Sequence, residues 1–423
     1  MIGPEPLRIL YLLHSGALAG SAESLCLLLE SFPPGSVSAT VLCPPGEAQT
    51  RLRRTGAAVR SIPGVSMLHS IQGVPLRGLR RLEMARTLWM TRHGRAIRAA
   101  IRETKPAIVH LNERGMLHAA RIAHAEGVPV VMHARSVAEW RDGWVRRVSA
   151  RAIGRYVSRV VAIDESVRAS LAELRNVQVI YNPLDPAASA ADETPGATAP
   201  PVRVTFLASL QRFKGIDDLL ECARLLRDRH DIVFQIAGAN SRSEQFHRSL
   251  RGRILHLFGF APDVESRSRR WIARHGLGST VRLLGRVQPG DILRQTDILV
   301  FPSHLDGSGR SVFEAGVRGI PAVVSLLHRV EDVVVHGETG LIVPERDPGA
   351  LAEAIARLAD DSDLRRRLGE GARTRYRRQF APRTSADRML ALYRELASTE
   401  TGNAVESERR TSAGGTRLSR GAR

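Results

Sequence analysis

Lysine is nearly missing from this chain. It stands only at Lys105 and Lys214, although the 423 residues carry 62 basic side chains against 43 acidic ones and a formal net charge of +19. Every other basic residue is Arg, spread from Arg8 to Arg423, so the excess reads as a bias of the whole chain and not as a binding stripe. Aromatic residues are only 4%, too few for the arrays of basic and aromatic side chains that stack bases, and no nucleic-acid partner is expected. Cysteine is scarce and odd in number: Cys26, Cys43 and Cys222 form no CxxC pair and no metal-ligand spacing, which fits a reducing compartment. Long apolar runs are missing too, and nothing approaches the roughly 18 residues that cross a bilayer. The stretch Ile9–Leu13 ahead of Ala17-Leu18-Ala19 mimics a secretory leader, but it is shorter than the roughly 7–15 residues of a true hydrophobic region, and Glu5 offsets Arg8. A cytoplasmic protein is expected.

What the sequence does have is the balance of a folded protein, 43% hydrophobic and 25% charged, in a chain long enough for two domains. Short β-branched runs alternate with longer helical patterns, the signature of parallel α/β units. Arg8–Leu13, Ala39–Cys43, Ala107–Leu111, Val128–Met132, Arg159–Ile163 and Val177–Ile180 predict strands of a first domain, residues 1–182. An Ala-, Pro-, Ser- and Thr-rich linker follows over 183–201. A second domain, 202–380, is predicted from Val202–Leu207, Ile232–Ala237, Val281–Leu284, Ile298–Phe301, Ala322–Ser325 and Leu341–Val343. A helix over 381–398 closes the folded part, and 399–423 is expected to be a disordered basic tail. Two such doubly wound sheets hold a ligand in the cleft at the carboxyl ends of their strands.

The motifs gather at those ends. Phe301-Pro302-Ser303-His304-Leu305-Asp306-Gly307-Ser308-Gly309-Arg310-Ser311-Val312-Phe313-Glu314 reads as strand, glycine loop and helix. Gly307 and Gly309 let the backbone approach a ligand, and the helix start offers free N–H groups to a phosphate. Asp306 and Glu314 are placed to accept hydrogen bonds from sugar hydroxyls; the plainer alternative is a capping box of Ser311 and Glu314. Ahead of it, Phe206-Leu-Ala-Ser209-Leu-Gln-Arg-Phe-Lys214-Gly215 keeps a Lys where the chain elsewhere uses Arg, which points to a compact phosphate-binding charge. Asp361-Ser-Asp363 has a metal-binding look but reads as a helix cap, and Asp217-Asp218 sits in a first helical turn.

These stretches, with Pro302-Ser303, Glu314-Ala315, Gly319-Ile-Pro321 and His336-Gly-Glu-Thr-Gly-Leu-Ile-Val-Pro344 in order, resemble the retaining GT-B glycosyltransferases of family 4, the glycosyl transferases group 1. The likeness extends over nearly the whole chain apart from the tail. It departs in three places: Asp306 replaces the usual Glu, Ser209 stands where the family has a diphosphate-binding Arg, and Gly20 alone remains of a glycine pair before Ala22-Glu23.

The resemblance implies an α/β GT-B fold, two Rossmann-like domains facing across a cleft, with the C-terminal helix returning to the first. It implies a retaining transferase that moves a sugar from a nucleoside diphosphate donor to an acceptor hydroxyl, in polysaccharide, glycolipid or other glycoconjugate synthesis. The nucleotide sugar is a co-substrate, and neither a metal nor a resident cofactor is expected. Gly20, Ser209, Lys214, Gly285, Val287, Gly307, Ser308, Gly309, Arg310, Ser311 and Glu314 are the implied donor contacts. Arg310 is the expected substitute for the cation lost at Ser209, against the alternative that it points into solvent or pairs with Asp306. His133, Arg135 and Asp306 are the implied catalytic residues, with either His133 or Arg135 orienting a saccharide or lipid-linked acceptor, while His110 reads as a core histidine. A silent GT-B partner subunit and a GT-B sugar-nucleotide epimerase are the alternatives. The Arg-rich segment from Arg77 to Lys105, interleaved with Leu79, Leu82, Leu88, Trp89 and Ile97, is the candidate contact with an anionic membrane at its inner face, against the alternative of a solvated helix face.

Overall fold

The computed structural model describes residues 5–18, 20–62, 93–137, 143–184, 201–240, 246, 249–250, 263–304, 309–325 and 333–415. The first seven strands are β1 (Leu7–Leu12), β2 (Val37–Cys43), β3 (Ala58–Ser61), β4 (Ile108–Leu111), β5 (Val130–Ala134), β6 (Arg159–Ala162) and β7 (Val177–Val179). They form one parallel sheet in the order β3-β2-β1-β4-β5-β6-β7. Its helices are α1 (Gly20–Ser31), α2 (Glu47–Arg54), α3 (Gly94–Thr104), α4 (Leu117–Ala125), α5 (Gly143–Tyr156) and α6 (Glu165–Ala169). The inner strands β4, β5 and β6 are apolar on both faces because both faces are covered. Along β1, Leu10 and Leu12 enter one core while Ile9 and Tyr11 enter the other.

The second sheet, also parallel, is built from β8 (Val202–Leu207), β9 (Ile232–Ala237), β10 (Val281–Gly285), β11 (Ile298–Pro302), β12 (Ala322–Ser325) and β13 (Gly340–Ile342), in the order β10-β9-β8-β11-β12-β13. Around it lie α7 (Ile216–Leu225), α8 (Val264–Arg274), α9 (Pro289–Leu293), α10 (Arg310–Gly316), α11 (Pro348–Asp360) and α12 (Ser362–Gln379). The strand order reverses between β1 and β4 in the first sheet and between β8 and β11 in the second, and such reversals open the ligand crevice of these folds.

The last helix, α13 (Pro382–Gly415), leaves the second half and packs on the first. Ala386, Met389, Leu390 and Tyr393, one helical stripe, are buried with Tyr11, Leu25 and Leu28. The Tyr393 hydroxyl lies 2.7 Å from His110 Nδ1.

Several expectations need correction. The strand β3 was not foreseen, because Ala58–Ser61 is a half-exposed edge with little apolar pattern. The fifth strand runs Val130–Ala134 and not Val128–Met132, and its later end takes His133 inside it. Helix α13 continues through 399–415, where a disordered tail was expected; an established helix adds a hydrogen bond with each further residue and needs no second nucleation. Residues 185–200 of the linker lie outside the described residues. So do 63–92, with most of the Arg-rich segment. The described part of that segment is the solvated face: Ile97 in α3 is wholly buried, and Arg98 and Arg102 both reach Glu126 at 2.8 Å. No helix among the described residues is long and apolar enough to cross a membrane.

Candidate functional site

The two reversal points face one another across a cavity of about 640 Å³. From the first half its wall takes Leu18, Gly20, Glu23 and Glu47. From the second it takes Ser209 after β8, Lys214, Arg286 and Val287 after β10, Phe301 at the end of β11, and Gly309, Arg310, Ser311 and Glu314 at the start of α10. Eight of the donor contacts expected from the sequence thus line one hollow. Gly285 ends β10 just before Arg286, in a left-handed turn with φ +68°. Asp306, Gly307 and Ser308 lie outside the described residues.

Lys214 closes a short 3-10 turn, Arg212–Lys214. Its ammonium lies 5.3 Å from the centre of the Phe301 ring, a cation–π distance. The turn is pinned by Gly215, which has φ +77° and whose place for a Cβ is only 1.6 Å from the Pro302 carbonyl oxygen, so no other residue fits. His304 Nε2 pairs with Asp218 at 2.5 Å and ties α7 to the end of β11. Asp218, seen in the sequence only as a carboxylate in a first helical turn, thus holds the lysine turn in place.

Glu314 is not part of a capping box. Gly309 is the N-cap of α10, with φ +52° and no side-chain cap, and Ser311 lies within the helix. The Glu314 carboxylate instead accepts from Arg310 Nε at 2.7 Å. Arg310 then reaches across the cavity, donating from Nη1 to Ser24 Oγ at 2.6 Å, with a longer 3.4 Å contact to the Gly20 carbonyl. Neither Ser24 nor this crossing was foreseeable from local pattern, since the partners are 286 residues apart.

Arg135 directly follows β5 and, like His133, is not among the residues lining this cavity. Its guanidinium holds Asn112 Oδ1 at 2.7 and 3.1 Å, Asn182 Oδ1 at 2.8 Å and His133 Nδ1 at 3.2 Å. Asn112 donates in turn to the Ser21 carbonyl at 3.0 Å, in the first turn of α1. Burial lowers the Arg135 pKa to about 10, with Glu113 opposing the fall and the Arg310 cation adding to it. His133 is only 2% exposed. Burial, with Arg135 and His110 beside it, holds its pKa well below the usual value, so it stays neutral and accepts from Arg135. His133 therefore braces Arg135 and does not line the cavity. His110, fully buried, behaves as the core histidine expected of it, its pKa lowered to about 3 by burial and by the Arg135 charge. Asp361 caps α12 through the Leu364 amide, as its sequence context predicts.

Comparison with known proteins agrees with this architecture. Residues 23–188 match the family model described as Glycosyltransferase Family 4, and residues 192–375 match Glycosyl transferases group 1. D-inositol 3-phosphate glycosyltransferase of Corynebacterium efficiens is 27% identical over 203 residues, 47% of this chain and 43% of that protein. The chain thus spans less than half the length of that relative. The Streptomyces avermitilis protein of the same name is 26% identical over 386 residues, 82% of this chain and 78% of that one. Among solved structures, Anabaena Alr3699/HepE in complex with UDP superposes with a TM-score of 0.72 at 18% identity, covering 92% of this chain and 100% of that one. With a family model on each half and the two-sheet architecture in common, the chain belongs to the group 1 glycosyltransferases of the GT-B fold.

Proposed function

We propose that this chain is a retaining glycosyltransferase that moves a sugar from a nucleoside diphosphate donor to an acceptor hydroxyl, in the synthesis of a polysaccharide, glycolipid or other glycoconjugate. The observation that carries the reading is the single cavity in which Lys214, Arg286 and Arg310 bring positive charge beside the Glu314 carboxylate. Cations suit a departing diphosphate, whose developing charge they stabilise in a site fixed beforehand. The carboxylate suits donor hydroxyls. Gly20 adds support, because a Cβ there would meet nothing nearer than Arg310 Nη1 at 3.9 Å. The protein's own packing makes no demand for glycine there, whereas close approach of a ligand does.

Arg135, braced by His133 and carried into α1 through Asn112, is the group proposed to face the acceptor. Asp306 shares the catalytic role by family resemblance. The acceptor is a saccharide or a lipid-linked sugar, and the protein works in the cytoplasm, at or near the inner face of the membrane. The UDP complex of the Anabaena protein makes uridine diphosphate sugars the first donors to try.

A panel of nucleotide sugars screened by thermal shift tests the donor, since a ligand at 100 times its dissociation constant adds about 2.7 kcal/mol of stability. NMR of the anomeric proton in the product tests retention. Ser209, a neutral residue on the cavity wall, favours a second reading, a catalytically silent GT-B subunit that only binds a partner. Slow release of nucleoside diphosphate from donor by the isolated chain would eliminate that reading, and a donor isomerised with no acceptor present would indicate an epimerase instead.

A further inference from the structure

We infer that Ser24 is a positioning residue that, by anchoring the donor-facing Arg310 in the first half, assembles the donor site from both halves of the chain; the inference rests on the donor-binding reading above. A guanidinium has three nitrogens in one rigid plane. In Arg310, Nε is taken by Glu314 and Nη1 by Ser24, while Nη2 has no hydrogen-bond partner among the described residues. Glu314 is divided in the same way: Oε1 accepts from Arg310, and Oε2 has no partner among them. Each side chain is thus held by its engaged half and keeps its other half for a ligand in the cavity both of them line.

The anchor is equally specific. The Ser24 hydroxyl donates to the Gly20 carbonyl at 2.7 Å, which fixes its proton and turns its lone pairs toward Arg310. Behind Arg310 a second hollow of about 30 Å³ is bounded by Asn182, Phe313 and Phe380, so the guanidinium is a wall between two spaces and not a loose surface arm. Lysine cannot replace it, because one ammonium on a flexible stem does not hold a carboxylate and a hydroxyl in a fixed plane. Ser24 therefore contributes to donor binding without touching the donor, and only through Arg310.

The test is a double-mutant cycle on the full chain with Ser24→Ala and Arg310→Lys, with Ser24→Thr as the variant that keeps the hydroxyl. In the absence of nucleotide, spin labels at Arg54→Cys and Arg282→Cys, both exposed, report the separation of the two halves; Cys26, Cys43 and Cys222 are buried and stay unlabelled. Both Ser24→Ala and Arg310→Lys should broaden the distance distribution. With donor, Arg310→Lys should raise KM roughly ten- to a hundredfold, the range for one hydrogen bond to a charged group. Ser24→Ala should raise it by a smaller factor, leave kcat within about twofold, and add nothing when Arg310→Lys is already present. Ser24→Thr should restore the parent values.

Equal effects of Ser24→Ala with and without Arg310, or no effect in either background, would overturn the inference. If the parent bound no nucleotide sugar while both variants still broadened the distances, the donor reading would fall and the bridge between the halves would be supported.

Discussion

Two buried histidines and one carboxylate carry the sharpest expectations for single residues. Glu314→Gln keeps the volume of the side chain but loses its charge, so the Arg310 contact and the grip on donor hydroxyls should both weaken. A donor titration is expected to show roughly a tenfold or greater loss, with the unfolding midpoint little changed because the pair is partly exposed. His110 makes a pH prediction. It is faced by Tyr11, His133, Arg135 and Tyr393, and its pKa falls to about 3 in the folded chain against about 6.5 when unfolded. Between those values the unfolded chain binds a proton that the folded chain refuses, so stability falls as pH drops from about 6.5 toward 3, and His133 acts with the same sign. Each such histidine adds at most about 1.4 kcal/mol per pH unit in that window. Denaturant unfolding of His110→Gln from pH 7 to 4 should show a shallower slope than the parent, whatever the change in its absolute stability. The sequence made the types of these residues legible but not their roles. Lys214 stood out by the rarity of lysine, and Gly309 and Glu314 by a strand, glycine loop and helix that resemble a known family, whereas the division of Arg310 between Glu314 and Ser24, and of Arg135 between Asn112 and Asn182, depends on contacts the chain makes only once folded.

Among the elements, the turn that presents Lys214 is the most tightly specified. Gly215→Ala would add a Cβ 1.6 Å from the Pro302 carbonyl oxygen in a left-handed conformation, and a loss of roughly 2–4 kcal/mol is expected in denaturant unfolding. Gly20→Ala should behave in the opposite way. Its Cβ has open space, so stability should stay within about 0.5 kcal/mol while donor affinity falls, and a donor affinity equal to the parent's would remove Gly20 from the site. The strands were readable because parallel strands covered on both faces are continuous apolar runs, as in the VVMHA of β5 and the ILVFP of β11. The edge strand β3 was not, since AVRS pairs with β2 alone and needs no apolar alternation. The end of α13 was misread for a related reason: once begun, a helix needs no apolar stripe to continue.

At the scale of the molecule, α13 makes the halves interdependent. A chain ending at Ala381 loses Ala386, Met389, Leu390, Leu392 and Tyr393 from the first core, and should melt earlier than the parent and aggregate, whereas one ending at Ser398 keeps them and should melt with it. A thermal scan of both truncations separates the outcomes. The crossing also sets a schedule. Tyr393 emerges from the ribosome 382 residues after Tyr11, the hydroxyl it will touch. The first sheet is complete only at Val179, so at ordinary synthesis rates the finished sheet waits about 10–40 s for Tyr393 with nothing over the flank beside α1. The nascent chain therefore carries an exposed greasy surface through about half of its own translation, and its yield in a cell should depend on a holding chaperone to a degree that its finished stability would never reveal.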